Sequence, residues 1–272
     1  MELYRGEPRH LTGVIYDLRS VVAGSGWEAV LEAVASLADD GSGSVLVLDD
    51  EQMGGLEKLR LAAESRGLAV LLDVRIEGTA GLDLAAVEWG ATSFREFIAS
   101  FEDSLGPDEG PRYSVSGADN DWAAGSARRW KARLLTLLQL TLRGMPVVSG
   151  GMGDPAQVWL EGEERDPESD LNFVRHLVSL RRHCPALTVG DYHVLQCEQQ
   201  DVFGFVRETE LQRLTVLLNF SPQSTVVQAS GPVGGFVAGT QLVEGDGLSP
   251  EDGRIGLEGF EGRVYELRRT WA

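Results

Sequence analysis

The chain has 272 residues, 43% of them hydrophobic, and its 42 Asp and Glu residues outnumber 24 Lys and Arg to give a formal net charge of −18. This length and apolar content allow a buried core and exclude intrinsic disorder. An acidic surface repels phosphate groups, so we expect no nucleic-acid partner. No run of 18 apolar residues predicts a membrane span, and residues 1–10 lack the apolar stretch of a signal peptide. We therefore expect either a cytosolic protein or a piece of a longer one.

Few side chains suggest a metal or cofactor site. The four histidines lack the spacing of metal ligands, and His176 and His183 lie seven residues apart on a predicted helix. Cys184 and Cys197 could form a disulfide or stay free, and two cysteines alone indicate neither an oxidising compartment nor a metal site. We predict no cofactor and no metal.

The first part of the chain alternates between strands and helices. Short apolar runs at 12–21, 44–50 and 68–74 predict buried strands. Helical periodicity over 26–41 and 55–67, each closed by a glycine, predicts amphipathic helices between them. Strands separated by helices in this way predict parallel pairing with right-handed crossovers.

The middle of the chain is less regular. A Gly- and Asp-rich stretch over 75–112 contains one predicted helix, at 93–105. The segment 112–122 is predicted to be a short strand followed by an acidic turn. The remaining predicted elements of this part are an apolar helix at 126–144, a buried strand with a glycine-rich end at 144–153, and a helix at 170–187 that Pro185 ends.

The pattern changes after residue 190. Six short β-type runs separated by turn residues predict an antiparallel sandwich. The run at 213–220 is its predicted central strand. We therefore predict two domains, an α/β domain over 1–190 and a β-sandwich domain over 191–272.

The sequence resembles the α-amylase superfamily of glycoside hydrolases over 126–269. The stretch "LLTLLQLTLRGMPVVSGG" is similar to the last barrel helix and eighth strand of those enzymes, and "LVSLRRHCPAL" to the helix that follows. The resemblance implies a shortened, incomplete TIM-barrel-like (β/α) domain followed by the C-terminal sandwich. Within the superfamily, 3–21 and 44–52 resemble the heavy-chain ectodomains of heteromeric amino-acid transporters, which have no glycosidase activity.

The resemblance also implies where catalytic carboxyls should lie. Retaining glycosidases use two carboxyls about 5 Å apart, which the superfamily carries after its fourth and fifth strands, with a third after the seventh. The Asn-His pair that usually follows the third strand falls on Glu77 and Gly78. Arg75 belongs to the third strand, and Glu88 is better explained by a surface helix.

Only the seventh-strand motif leaves a trace. Asp119, Asn120 and Asp121 match its Asn-His-Asp, which makes Asp121 a vestigial third carboxylate. The same residues would also suit an acidic turn that caps the next helix. After the eighth strand, where an acidic pair is common, the chain has Gly150–Gly153. With no catalytic residue assigned, we predict a protein that is not an enzyme.

Chain length supports a shortened barrel. Residues 13–150 number 138, whereas a complete barrel takes about 250. An unclosed sheet leaves edge strands that must be covered or paired. We expect such an edge at the third strand (68–74) or the seventh (112–116), where a second copy of the chain or a partner could pair.

Three functions follow as hypotheses. The first is a non-catalytic accessory subunit that binds and stabilises the light chain of an amino-acid transporter. If the chain is an ectodomain fragment, we expect it at the extracellular face of the plasma membrane; if it is not, we expect a soluble protein. The second is a shortened α-glucosidase-type hydrolase that uses Asp121 and an unassigned acid. The third is a carbohydrate-binding module. Its candidate aromatic residues are Trp89, Trp122, Trp130 and Trp159. The one glycosylation sequon, at Asn219, lies in a predicted strand.

Overall fold

The computed structural model describes most of the second half of the chain and parts of the first. The described residues are 14–17, 45–47, 61, 65, 69–71, 79–104, 110–115, 127–149, 166–229, 231–241, 250 and 253–269. The chain divides into two compact units, each made of three segments. The first unit comprises Met1–Asp83, Leu105–Ala118 and Gly144–Arg182, and the second comprises Leu84–Ser104, Asp119–Arg143 and His183–Ala272. The predicted domain boundary near residue 190 stays a prediction.

The first unit contains a six-stranded sheet in which every pair of neighbours is parallel. Its strands are β1 Ile15–Asp17, β2 Val45–Val47, β3 Ala69–Leu71, β4 Thr79–Asp83, β5 Gly110–Ser114 and β6 Met145–Ser149. Their order is β3-β2-β1-β6-β5-β4, so the first and last strands in the chain are neighbours. This order fits a barrel open between β3 and β4, although the barrel itself stays a prediction.

Two features of this sheet differ from the sequence analysis. Strand β4 was not predicted, because Ala80 and Gly81 are too small to produce the apolar alternation of a strand. β4 pairs with β5 on the side away from β6. The expectation that the seventh strand, now β5, lies at a sheet edge is therefore wrong. In the described sheet the edge strands are β3 and β4.

Four α-helices and one short 3-10 helix, Leu84–Ala86, are described. α1 covers Ala91–Ser104 and α2 covers Arg128–Thr141, close to their predicted positions, whereas the predicted helix over 170–187 is two helices. α3 ends at His183, and Pro185 begins the short helix α4, Pro185–Val189. Proline suits a first helical position because its missing N–H would have no partner there. The predicted helices at 26–41 and 55–67 lie outside the described residues, apart from Leu61 and Ser65.

The second unit contains a five-stranded antiparallel sheet of order β11-β13-β9-β8-β7 and a two-stranded sheet of β10 and β12. The strands are β7 Asp191–Leu195, β8 Val202–Glu208, β9 Gln212–Asn219, β10 Thr225–Gln228, β11 Gly235–Gly239, β12 Arg254–Leu257 and β13 Gly262–Arg268. The prediction that 213–220 forms the central strand is confirmed, since β9 is the middle strand of its sheet. The glycine-flanked β11 was not predicted.

Apolar side chains from both antiparallel sheets share one core. Val202, Leu217 and Tyr265 contribute from the larger sheet, and Val227 and Ile255 from the smaller. Each is at most 2% exposed, and burying such a side chain stabilises the fold by about 1.5–3 kcal/mol. This packing is what the predicted sandwich requires, and the described residues of 192–269 contain no helix.

Candidate functional site

Four neighbouring strands of the parallel sheet end in a polar residue. In sheet order, β4 ends at Asp83, β5 at Ser114, β6 at Ser149 and β1 at Asp17. Carboxyl ends of parallel strands meet at one edge of a sheet, which is where α/β proteins usually bind ligands. We call these four residues the carboxyl-edge row. The row is the candidate site.

The described side chains of the row lie close together. Asp83 is in register with Ser114, so both side chains point to the same face of the sheet, and adjacent strands are about 4.8 Å apart. Ser114 is in turn in register with Val147. The Ser114 hydroxyl donates a 3.5 Å hydrogen bond to the carbonyl of Leu82. Asp83 and Ser114 are both half-buried, so a carboxylate and a hydroxyl share one partly accessible place.

Sequence reasoning missed Asp83. Because β4 was not predicted, Asp83 was one acidic residue in a Gly- and Asp-rich stretch and was not recognised as the end of a strand. The available signal was the segment "TAGLDLAA", in which an Asp follows small and apolar residues. Among the β4 residues whose burial is described, Leu82 is buried, Asp83 is half-buried and Gly81 is exposed, so the strand contains no continuous buried run that a sequence pattern could reveal.

The other predicted site residues either lie outside the described residues or are not part of the carboxyl-edge row. Arg75, Glu77, Gly78 and Asp121 lie outside the described residues, as does Gly150–Gly153. Glu88 is exposed, as expected, but the prediction that it lies in a surface helix is wrong, because it lies between Leu84–Ala86 and Ala91–Ser104 in no helix or strand. The assignment of Asp121 therefore stays a prediction.

Both cysteines are free. Cys184 is buried and Cys197 is half-buried. Burial raises the pKa of both thiols, which disfavours the reactive thiolate. In the part of the chain that the structure describes, no three His, Cys, Asp or Glu residues are grouped as metal ligands. Nor does any helix within that part combine the length and apolar character that crossing a membrane requires.

Trp89 packs inside the second unit. Its indole N–H donates a 2.9 Å hydrogen bond to the carbonyl of Phe220. Its ring lies 5.0 Å from the Phe220 ring and 6.2 Å from the Phe94 ring. Trp130 lies beside the guanidinium groups of Arg129 and Arg133, at 5.9 and 5.8 Å. Trp89 therefore contributes to packing, while Trp122 and Trp159 lie outside the described residues.

The sequon asparagine is inaccessible in the folded chain. Asn219 is fully buried. Its side-chain N–H groups donate to the carbonyls of Gln223 and Glu258, at 2.7 and 2.8 Å, and its carbonyl accepts the N–H of Ser221 at 3.0 Å. Attachment of a glycan to this nitrogen would break both bonds that it donates, so Asn219 is a structural residue.

The second unit also contains a fully buried carboxylate that belongs to the fold. Glu261 accepts hydrogen bonds from Nε and Nη2 of Arg263, at 2.7 and 3.1 Å. Its carboxylate also accepts the backbone N–H of Glu258 at 2.7 Å. Both carboxylate oxygens are thus used in holding the turn before β13, and Glu261 is not a candidate for chemistry.

Comparisons with known proteins indicate a family. No family model matches the sequence. The chain is 30% identical over 111 residues to the probable oligo-1,6-glucosidase 2 of Bacillus subtilis (strain 168), a match that covers 41% of this chain and 20% of that enzyme. The chain thus spans about a fifth of the length of this curated relative.

Solved structures show the fold. The trehalose-6-phosphate hydrolase of Bacillus licheniformis matches with a TM-score of 0.63 and 11% identity, over 95% of this chain and 99% of that one. An α-amylase from H. orenii matches with a TM-score of 0.56 and 14% identity, over 89% and 64% of the two chains. The α-amylase-type fold is therefore confirmed. The superfamily resemblance is supported, and the narrower resemblance to transporter heavy chains stays a prediction.

These comparisons contradict the prediction that the protein is not an enzyme. The relative and the structural neighbours are named as enzymes, among them a glucosidase, a hydrolase and an amylase. The prediction rested on an incomplete set of strands. It inferred the loss of activity from motif positions that lie outside the described residues.

Proposed function

We propose that this chain is a shortened glycoside hydrolase of the α-glucosidase type. The observation that carries the proposal is the 30% identity to an oligo-1,6-glucosidase over 111 residues. The α-amylase-type fold over most of the chain agrees with it. The match covers 20% of the glucosidase. The activity and the substrate are therefore part of the proposal.

The finer architecture belongs to the same proposal. The parallel sheet would be a (β/α) barrel with fewer than eight strands, and the two antiparallel sheets would be the C-terminal sandwich of amylase-type enzymes. Support comes from the strand order, in which β1 and β6 are neighbours, and from the shared core of the antiparallel sheets.

The proposed chemistry is hydrolysis by two carboxyls. One carboxyl protonates the oxygen that leaves the sugar, and the second either attacks the sugar or activates water. We assign one carboxyl to Asp121, which follows β5 by seven residues and matches the superfamily's third carboxylate. The second carboxyl is not assigned. The transporter-subunit hypothesis has no observation in its favour and is left as a prediction.

Hydrolysis of p-nitrophenyl α-glucopyranoside and of isomaltose by the purified chain tests the proposal. We expect release of p-nitrophenol and glucose, and loss of at least a hundredfold in kcat for Asp121→Asn, because general acid–base catalysis contributes about 10²–10⁴-fold. Asp103→Asn is the matched control, since Asp103 is an exposed residue of α1. An unmodified chain without turnover on either substrate would refute the proposal.

A further inference from the structure

Strand β7 lies at one edge of the five-stranded antiparallel sheet. Its five residues pair with β8 in one uninterrupted register, from Asp191 opposite Glu208 to Leu195 opposite Gly204. The opposite edge strand, β11, has an irregular register after Phe236 and a glycine at each end. Bulges and irregular edges hinder pairing with a further strand, whereas a regular edge permits it. β7 is therefore the edge of this sheet that suits pairing with another strand.

The hydrogen bonds of β8 show which of its residues bond to β7. At the two ends of the β8–β9 ladder, the N–H of Thr209 donates to the carbonyl of Gln212 at 2.8 Å, and the N–H of Phe220 donates to the carbonyl of Asp201 at 2.9 Å. Bonds of an antiparallel ladder recur at every second residue. The odd-numbered residues of β8 therefore bond to β9, and the even-numbered residues bond to β7.

The same alternation defines the outer side of β7. The even-numbered residues of β8 lie opposite Asp191, His193 and Leu195. The backbone N–H and carbonyl groups of Tyr192 and Val194 consequently point away from β8. In the part of the chain that the structure describes, no hydrogen bond reaches these backbone groups. Asp191 and His193 are exposed, so this edge is open to solvent.

We propose that two copies of the chain pair through β7, antiparallel and across a two-fold axis at His193. Tyr192 of each copy then lies opposite the partner's Val194, and the two residues of each such pair exchange both N–H to carbonyl bonds. This proposal does not depend on the proposed hydrolase function.

The side chains of β7 favour a second copy as the occupant, because the strand is complementary to itself. An aromatic residue opposite a β-branched residue is a favourable cross-strand pair, and this arrangement forms that pair twice. The Tyr192 ring already packs 5.4 Å from the ring of Phe205, so little freedom is lost on pairing. Asp191 becomes a diagonal neighbour of the partner's His193, and no two carboxylates of the strands lie opposite each other.

Sedimentation velocity of the unmodified chain between about 1 and 300 μM tests the pairing. A pair of short strands is smaller than a stable interface, which buries about 800 Å² on each partner. We therefore expect a reversible dimer with a dissociation constant of about 1–100 μM. A chain that stays monomeric over the whole range overturns the proposal.

Val194→Pro tests the backbone bonds. The N–H of Val194 faces the partner, so proline removes bonds of the dimer and none of those to β8. The dissociation constant should rise about tenfold or more, at a circular dichroism spectrum like that of the unmodified chain. An unchanged dissociation constant in the folded variant overturns the proposal.

His193→Glu and His193→Lys test the register. Each variant alone places like charges directly opposite each other and should weaken the dimer about fivefold, whereas an equal mixture of the two should restore it. His176→Glu, the same change at an exposed position of α3, is the matched control and should leave the dimer unchanged. A dimer that both His193 variants leave intact uses another surface and overturns the proposal. If Val194→Pro does not fold, the mixture decides, and failure to restore the dimer has the same meaning.

Discussion

The two units place polar side chains in different surroundings. In the second unit, Glu261 and Arg207 are fully buried and are hydrogen-bonded within the protein. In the first unit, Asp83 and Ser114 end their strands in a half-buried position. Buried ionised groups are costly unless they are paired or hydrogen-bonded, so such bonds mark groups that the fold requires. A half-buried carboxylate at a strand end stays partly in contact with water, so its ionised form costs the fold less.

This contrast predicts different consequences of mutation. Substitutions of the buried, hydrogen-bonded groups of the second unit, such as Glu261 and Arg207, should lower stability and leave the kinetics of the folded molecules unchanged. Substitutions in the carboxyl-edge row should do the reverse. Three variants of the second unit test the first half of the contrast, from the largest expected effect to the smallest.

Glu261→Ala should have the largest effect on stability. It leaves the Arg263 guanidinium without its carboxylate in a site where the side chain is 12% exposed. Removing one partner of a buried ion pair costs about 3–5 kcal/mol. Urea unfolding followed by circular dichroism measures the change. Glu210→Ala, at an exposed position in the turn between β8 and β9, is the control and should change stability by less than about 0.5 kcal/mol.

Arg207→Met should have an intermediate effect. The Arg207 guanidinium donates to the carbonyl of Thr141, the last residue of α2, at 3.3 Å and to that of Gly190, which follows α4, at 2.7 Å. A cation at the carboxyl end of a helix also interacts favourably with its dipole. Loss of these bonds should cost about 2–3 kcal/mol.

The control for this variant is Arg254→Met, because Arg254 is exposed on β12. Thermal unfolding of both variants gives the comparison. Equal midpoints for Arg207→Met and the unmodified chain would show that the ends of α2 and α4 are held by other contacts.

Glu266→Gln should have the smallest effect, and one that depends on pH. Burial by itself raises the pKa of the Glu266 carboxyl, but hydrogen bonds from Arg268 and Gln212, at 2.7 and 2.6 Å, outweigh it and hold the pKa below its ordinary value of 4.5. A lowered pKa stabilises the folded state above the ordinary value, and this contribution is lost as the pH falls through the folded-state pKa.

The free energies of unfolding of the unmodified chain and Glu266→Gln should therefore differ most at neutral pH. The difference should shrink as the pH falls below 4.5. Denaturant titrations between about pH 7 and pH 3 measure it. A difference that stays constant over this range would mean that the Glu266 carboxyl is not stabilised in its ionised form.

The sequence predicted the antiparallel strands well because their apolar residues are strong local signals. Val202, Phe203 and Phe205 in β8, and Leu214 to Leu218 in β9, are β-formers at buried positions. The apolar signal is weak in β4 and β11, because Gly81, Gly235 and Gly239 occupy strand positions without contributing a side chain. Such strands form because they pair with neighbouring strands. Pairing between distant segments cannot be predicted from the local sequence pattern.

The candidate site was less predictable for a related reason. The carbonyls that Arg207 binds lie 66 and 17 residues away in the sequence, so the sequence shows the charge of Arg207 but not its burial. Asp83 became a candidate only once β4 was placed beside β5. The break between α3 and α4 has a local cause, since a proline can begin a helix as well as end one.

One measurement tests the proposed function most directly, because it compares the carboxyl that we assign to catalysis, Asp121, with a carboxyl that supports the fold, Glu261. It records kcat/KM on p-nitrophenyl α-glucopyranoside and the midpoint of unfolding for the unmodified chain, Asp121→Asn and Glu261→Ala. The account predicts that Asp121→Asn loses at least a hundredfold in turnover at an unchanged midpoint, while Glu261→Ala has a lower midpoint and normal turnover per folded molecule. No turnover in the unmodified chain, or the same pattern in both variants, would contradict the account.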